Sequence, residues 1–110
     1  MYHPTLTQEK WNGLSKVEQL GNIGSEVSRA INWRKKNPAY MKESVYRGLE
    51  LLDLSTKDPK NTVSLKELLR LRECINDYFL GNNVYGSSDA VWNNYFLTYG
   101  IAARQPGKSK

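Results

Sequence analysis

Apolar residues in this chain recur at intervals of three and four, the period of a helix with one buried face. After Ser15, the residues Val17, Leu20, Ile23, Val27, Ala30 and Ile31 keep that spacing, and Arg34 extends the row. Met41, Val45, Leu49 and Leu52 repeat it in a second run, widened by Leu51 and Leu54, with Gly48 between them. Leu65, Leu68, Leu69, Ile75 and Phe79 make a third run, and Val91, Trp92, Tyr95, Phe96, Tyr99 and Ala102 a fourth. Nothing alternates with period two over a useful length, so strands are not expected.

Punctuation separates the runs. Ser15-Lys16-Val17-Glu18 reads as a capping box, in which the serine accepts from the third backbone amide and the glutamate reaches back. Asn37-Pro38 ends this first long helix, because a residue before proline is pushed out of helical geometry. The second helix starts at Pro38 or Ala39, where proline suits a first turn, and Asp58-Pro59-Lys60-Asn61 breaks it. Ser64-Leu65-Lys66-Glu67 reads as a second capping box, opening a helix to about Leu80. Gly81-Asn82-Asn83 then supplies residues that tolerate left-handed geometry. Ser87 or Ser88 caps the last helix, Asp89 suits its positive end, and it runs to about Arg104. Ahead of all four, Thr7 caps a short turn through Trp11 that Gly13 stops. The expected fold is all-α, an antiparallel four-helix bundle with a short extra N-terminal helix. One domain spans residues 1–104, and residues 105–110 form a frayed basic tail.

Composition narrows the class without naming an activity. With 39% hydrophobic and 25% charged residues, the chain is globular and not disordered. Its 110 residues make a single small domain, with a surface large enough relative to its volume that a homodimer is expected. The net charge of +5 permits nucleic acid or an acidic protein as partner but demands neither. Part of the excess lies in Arg34, Lys35 and Lys36 and part in Arg104, Lys108 and Lys110. Cys74 is the single cysteine, so no internal disulfide or thiolate zinc cluster forms, and a reducing cytoplasm is the expected compartment. No apolar run is long enough to span a bilayer and no secretory segment is present, so no membrane partner is expected.

Most catalytic signatures are missing. His3, beside Pro4, is the only histidine, which leaves little room for histidine acid–base or Cys-His chemistry. Gly21-Asn22-Ile23-Gly24 lies inside a helix and lacks a P-loop lysine. With Ser25 and Ser28, these glycines read as a small-residue contact for another helix, which offsets their cost in helix propensity. Glu26, Glu50, Asp53 and Asp58 match no recognised metal motif, so neither metal nor cofactor is expected.

Two clusters stand out. Asn22, Glu26, Arg29 and Trp33 line up along the first long helix, off its apolar face. They read either as a solvated face with a weak Glu26–Arg29 pair or as a partner surface, for which a tryptophan beside charges is typical. In the third helix, Arg72 falls within the apolar arc of Leu65, Leu68, Ile75 and Phe79, and Asn76 lies one turn on. A buried guanidinium needs a carboxylate or an anionic ligand, and Glu26, Glu50 and Asp53 are the candidate partners.

The run Arg72-Glu73-Cys74-Ile75-Asn76-Asp77-Tyr78 resembles the Arg, four residues, His motif of small prokaryotic helical domains of the HEPN superfamily. That resemblance implies a helical bundle and, with Arg and His paired across a dimer, a ribonuclease site. Here Asp77 stands at the histidine position, and an aspartate is a poor acid at neutral pH. The resemblance therefore implies a non-cleaving relative more readily than a nuclease.

The expected function is a small cytosolic binding or regulatory module without catalysis. Its recognition surface would join Glu26, Arg29 and Trp33 to Arg72, Asn76 and the loop bearing Asn83 and Tyr85. The alternatives are a nucleic-acid binder that uses Arg34, Lys35 and Lys36, with Trp33 stacking on bases, and a degenerate HEPN-like ribonuclease.

Overall fold

Ser15 opens the first long helix as its sequence requires. Its Oγ accepts from the Glu18 amide at 3.1 Å, and Glu18 Oε1 accepts from the Ser15 amide at 2.9 Å. Two of the four orphan amides at the helix start are satisfied in this way. The computed structural model describes residues 5–103, with side chains as far as residue 97. His3, Arg104 and the basic tail lie outside the described residues, as do the side chains of Tyr99 and Ala102.

The order is α1 (Gln8–Asn12), α2 (Lys16–Trp33), α3 (Pro38–Thr56), a 3-10 helix (Pro59–Ser64), α4 (Leu65–Leu80) and α5 (Asp89–Ala103). No strand occurs among the described residues. Thr7 caps α1, accepting from the Lys10 amide at 3.1 Å. Asn37 caps α3 with its side-chain oxygen, which accepts from the Ala39 and Tyr40 amides, and Pro38 takes the first helical position.

α2 packs against α3 on one side and α5 on the other, and α3 packs against α4. The core takes Leu20, Ile23, Val27 and Ala30 from α2, and Val45, Leu49 and Leu52 from α3. α4 adds Leu68, Leu71, Ile75 and Phe79, and α5 adds Trp92 and Phe96. The α2–α5 seam closes on Gly24. A Cβ built there would meet the Phe96 ring and Cβ at 2.7–2.8 Å, so only glycine admits this approach. Small residues on α2 do let another helix in, as their sequence suggested.

Three sequence expectations fail in α4 and its approach. Ser64 makes no side-chain cap hydrogen bond. The 3-10 helix runs straight into α4, so Ser64 is not extended (φ −105°, ψ 10°) and cannot act as an N-cap. Its hydroxyl instead accepts from Lys16 Nζ at 2.8 Å, and Glu67 pairs with the same lysine at 3.2 Å. Leu65 and Leu69, expected in the core, are exposed. The buried row of α4 is Leu68, Leu71, Ile75 and Phe79. Leu65, Leu69, Arg72 and Asn76 form the neighbouring row, turned toward solvent. Arg72 is accordingly not a buried guanidinium: its side chain is 41% exposed.

The break at Asp58-Asn61 is not a simple loop either. It is a polar knot that ties α1, α2, α3 and the 3-10 helix together. Asp58, Asn61, Gln19 and Ser55 are all buried. Gln19 Nε2 donates to Asp58 Oδ2 at 2.8 Å and to the Trp11 carbonyl at 3.0 Å. Asn61 Nδ2 donates to Gln19 Oε1 at 2.8 Å and to the Ser55 carbonyl at 2.9 Å. The Trp11 indole donates to Ser55 Oγ at 3.0 Å. Lys60 pairs with Asp58 and also donates to the Asn12 carbonyl at 2.8 Å. Burial raises the Asp58 carboxyl pKa, but the hydrogen bonds from Lys60 and Gln19 and the lysine's charge outweigh it. The net result is a carboxyl below its ordinary value.

Candidate functional site

The sequence places Glu26 off the apolar face of α2, on a stripe with Asn22, Arg29 and Trp33 that reads as a solvated face or a partner surface. It is buried instead, at 6% exposure. α3 passes beside it at Gly48, where a Cβ would sit 3.5 Å from the Glu26 Cβ, in ordinary contact, and covers the residue. A buried carboxylate needs compensation, and two arginines provide it. Arg29 Nη1 lies 3.1 Å from Oε2, and Arg47 Nε donates to Oε1 at 3.4 Å. Arg47 also holds Glu43 at 2.8 Å, one turn back on α3.

This arrangement fixes Arg29 at one nitrogen and leaves its side chain 57% exposed. A guanidinium has five N–H donors. Among the described residues, Glu26 is the one ion-pair partner of Arg29. Arg29 and Ser25 form a ridge between two depressions. On one side is a bowl of about 360 Å³ floored by Leu6, Trp11, Leu14 and Leu51 and edged by Asn22, Ser25, Glu26 and Arg29. On the other is a groove of about 520 Å³ between α2 and α5, lined by Gly21, Ser28, Asn93 and Leu97. Asn22 spends a side-chain donor on the Glu18 carbonyl (2.8 Å), and Ser25 its hydroxyl on the Gly21 carbonyl (3.1 Å). Arg29 is therefore the principal donor of the ridge.

Trp33 stands one turn beyond Arg29, about one-third exposed. It meets Tyr40 edge-to-face, with ring centroids 5.0 Å apart. Lys35 and Lys36, which follow in the turn, are exposed.

Arg34 is drawn inward. Its Nη1 donates to the Tyr78 hydroxyl at 3.1 Å and pairs with Asp89 at 3.2 Å, while Tyr78 donates to the same Asp89 oxygen at 2.6 Å. The guanidinium carbon lies 4.3 Å from the Tyr78 ring centroid and 4.7 Å from that of Phe79. Arg34 thus joins the end of α2 to α4 and to the start of α5. Burial, above all, raises the Tyr78 pKa. The arginine opposes that shift and Asp89 reinforces it, leaving a net upward displacement.

The α4 half of the predicted surface is separate. Arg72 Nε donates to Asp53 at 2.8 Å, with the acid 49% exposed, so this pair lies in the α3–α4 seam and not beside Glu26. Asn76 is exposed one turn on. Asp77, at the position where the resemblance calls for a histidine, accepts from the Val84 and Tyr85 amides at 2.8 and 3.1 Å. Asn83 adopts φ 53° and bonds Ser87 twice, through its carbonyl oxygen and its amide nitrogen. Asp77 and Asn83 thereby shape the loop. Tyr85 is exposed beyond them; its hydroxyl donates to Glu73 at 3.3 Å, and that carboxylate, chiefly through its charge, raises the tyrosine's pKa.

The structure therefore brings Glu26 and Arg29 together, sets Trp33 one turn away, and leaves Arg72, Asn76, Asn83 and Tyr85 on another side of α4 and its loop. The sequence reading missed Arg47 and the apolar floor of the bowl. The Glu43–Arg47 spacing beside Gly48 was the available signal: an i,i+4 ion pair next to a gap through which the arginine can reach a neighbouring helix. Among the described residues, no three histidine, cysteine or acidic side chains gather as a metal site, and no helix is long and apolar enough to cross a membrane. No family model, curated protein or solved structure matches this chain.

Proposed function

We propose that this chain is a non-catalytic binding module and that Arg29 is the centre of its recognition surface, receiving an anionic group of a ligand or protein partner. The observation that carries this reading is the pairing of a buried Glu26 with a largely exposed Arg29 on a ridge between two depressions. Glu26 orients the guanidinium and leaves donors free, which prepares it for a carboxylate or phosphate. The scaffold is an antiparallel four-helix bundle with a short helix ahead of it, acting in the cytoplasm. A homodimer is in keeping with the exposed Leu65 and Leu69 on α4 and Val91 and Leu97 on α5.

Titration of the protein with sodium acetate and with inorganic phosphate, followed by amide and arginine chemical shifts, tests the reading. Shifts should centre on Asn22, Ser25 and Arg29 and vanish in Arg29→Gln. Shifts confined to Lys35 and Lys36 would refute it.

A second reading, single-stranded nucleic acid, is favoured by one observation: the exposed Trp33–Tyr40 pair precedes and follows the exposed Lys35 and Lys36. Arg34 contributes less than its sequence position promised, because Asp89 and Tyr78 already engage it. Binding of a labelled RNA that weakens steeply with salt would support this reading, and no binding at low salt would remove it. A degenerate ribonuclease has less behind it, since Arg72 is paired with Asp53 and the Asp77 oxygens accept loop amides.

A further inference from the structure

We infer that the bowl beside Arg29 is a site for a monocarboxylate with an apolar body, such as a medium-chain aliphatic or aryl carboxylic acid. The inference rests on the Arg29 reading above and specifies its ligand.

Three features of the bowl lead there. Its volume, about 360 Å³, lies in the range of small-molecule sites and exceeds what a bare inorganic anion fills. Its floor is apolar: Trp11 and Leu51 are buried, and Leu6 and Leu14 are half-buried against the core. A ligand's hydrocarbon body would cover the part of this surface still in water, which belongs mainly to Leu6 and Leu14. Its edge offers one charged donor. Asn22 and Ser25 already donate to α2 carbonyls, so Arg29 is the group that meets a carboxylate, in the planar two-bond geometry that guanidinium favours.

Glu26 lowers the net positive charge of the site. Its Oε2 lies 3.1 Å from Arg29 Nη1, so any anion bound to this arginine sits near a second negative charge. A dianionic phosphate doubles both its attraction to Arg29 and its repulsion from Glu26, and it gains nothing from the apolar lining, so that lining is what favours a carboxylate with a hydrocarbon body. Arg47, on the far side of Glu26, offsets part of that charge and keeps the carboxylate from consuming Arg29 entirely.

The test uses the full chain and three probes: hexanoate, its neutral analogue hexanamide, and inorganic phosphate. Binding is followed by the Trp11 indole N–H resonance, whose donor is bonded to Ser55 Oγ, and by the backbone amides of Leu14, Ser25 and Arg29. Hexanoate is expected to shift these signals saturably, with hexanamide and phosphate each weaker. Arg29→Gln is expected to weaken hexanoate by at least about tenfold, the scale of a lost charge-assisted hydrogen bond. Arg47 still holds Glu26 in this variant, so it should fold with a lowered melt, and a circular dichroism spectrum matching wild type at a temperature well below that melt is the control. Equal titration by hexanoate and hexanamide, or an Arg29→Gln variant that binds hexanoate as well as wild type, overturns the inference. Phosphate binding at Arg29 more tightly than hexanoate overturns it too, but leaves the anion reading of Arg29 standing. Failure of both anions to perturb Arg29 overturns both.

Discussion

Two chemically identical substitutions, Gly24→Ala and Gly48→Ala, should change stability in opposite directions. Both glycines are buried in helix interiors, where alanine is intrinsically the better helix former by about 1 kcal/mol. At Gly48 the added methyl has room: it would meet the Glu26 Cβ at 3.5 Å, an ordinary van der Waals distance. The propensity gain should survive there, stabilising the fold by about 0.5–1 kcal/mol. At Gly24 the methyl meets Phe96 Cγ, Cβ and Cδ1 at 2.7–2.8 Å. Phe96 is 7% exposed and packs on Trp92 and Tyr95, so it has little freedom to withdraw. Overpacking of this kind costs about 1–3 kcal/mol. Subtracting the propensity gain leaves a net loss of up to about 2 kcal/mol. Thermal melts followed by circular dichroism resolve this, since about 1 kcal/mol moves the midpoint of a domain this size by several degrees. Gly24→Ala should melt below wild type and Gly48→Ala above it. Pairing Gly24→Ala with Phe96→Leu should recover part of the strain and so show coupling between the sites. If the two alanine variants shift alike, or Gly24→Ala is the more stable, the α2–α5 contact described above is wrong.

Two further outcomes follow from the charged groups. Arg72→Ala should lower stability by less than about 1 kcal/mol in urea unfolding, because both members of the Arg72–Asp53 pair are over two-fifths exposed; a loss of several kcal/mol would mean that the arginine is buried after all. Asp58 carries a carboxyl pKa below 3.8 in the fold, so its contribution is present above that value and is lost as pH falls through the lowered folded value. Asp58→Asn should therefore flatten the acid limb of the stability–pH curve, and an acid limb identical to wild type would count against the Asp58 knot.

The local structure of this chain is written in local chemistry. Ser15 with Glu18, Thr7, and Asn37 before Pro38 set helix starts through contacts within a few residues, and periodicity in three and four sets the helix class. The sequence alone therefore sufficed for α1, α2 and α3. The second capping box failed for the same local reason seen from the other side. Ser64 had the right neighbours, but the 3-10 helix before it denied the extended backbone that a cap needs.

Charge partners were decided only by the tertiary structure. A helical wheel places Arg72 within about 60° of a buried row, and a turn of that size separates core from surface. Which side won depended on how α3 lies against α4, which no local pattern encodes. Glu26 shows the converse: its spacing sets it off the apolar face of α2, and α3, passing beside it at Gly48, buries it between Arg29 and Arg47. The bowl beside Arg29 has the same origin. Its floor comes from α1, the turn after it and α3, and its charge from α2, segments whose apolar and ionic roles are legible singly but whose meeting is a property of the packed chain.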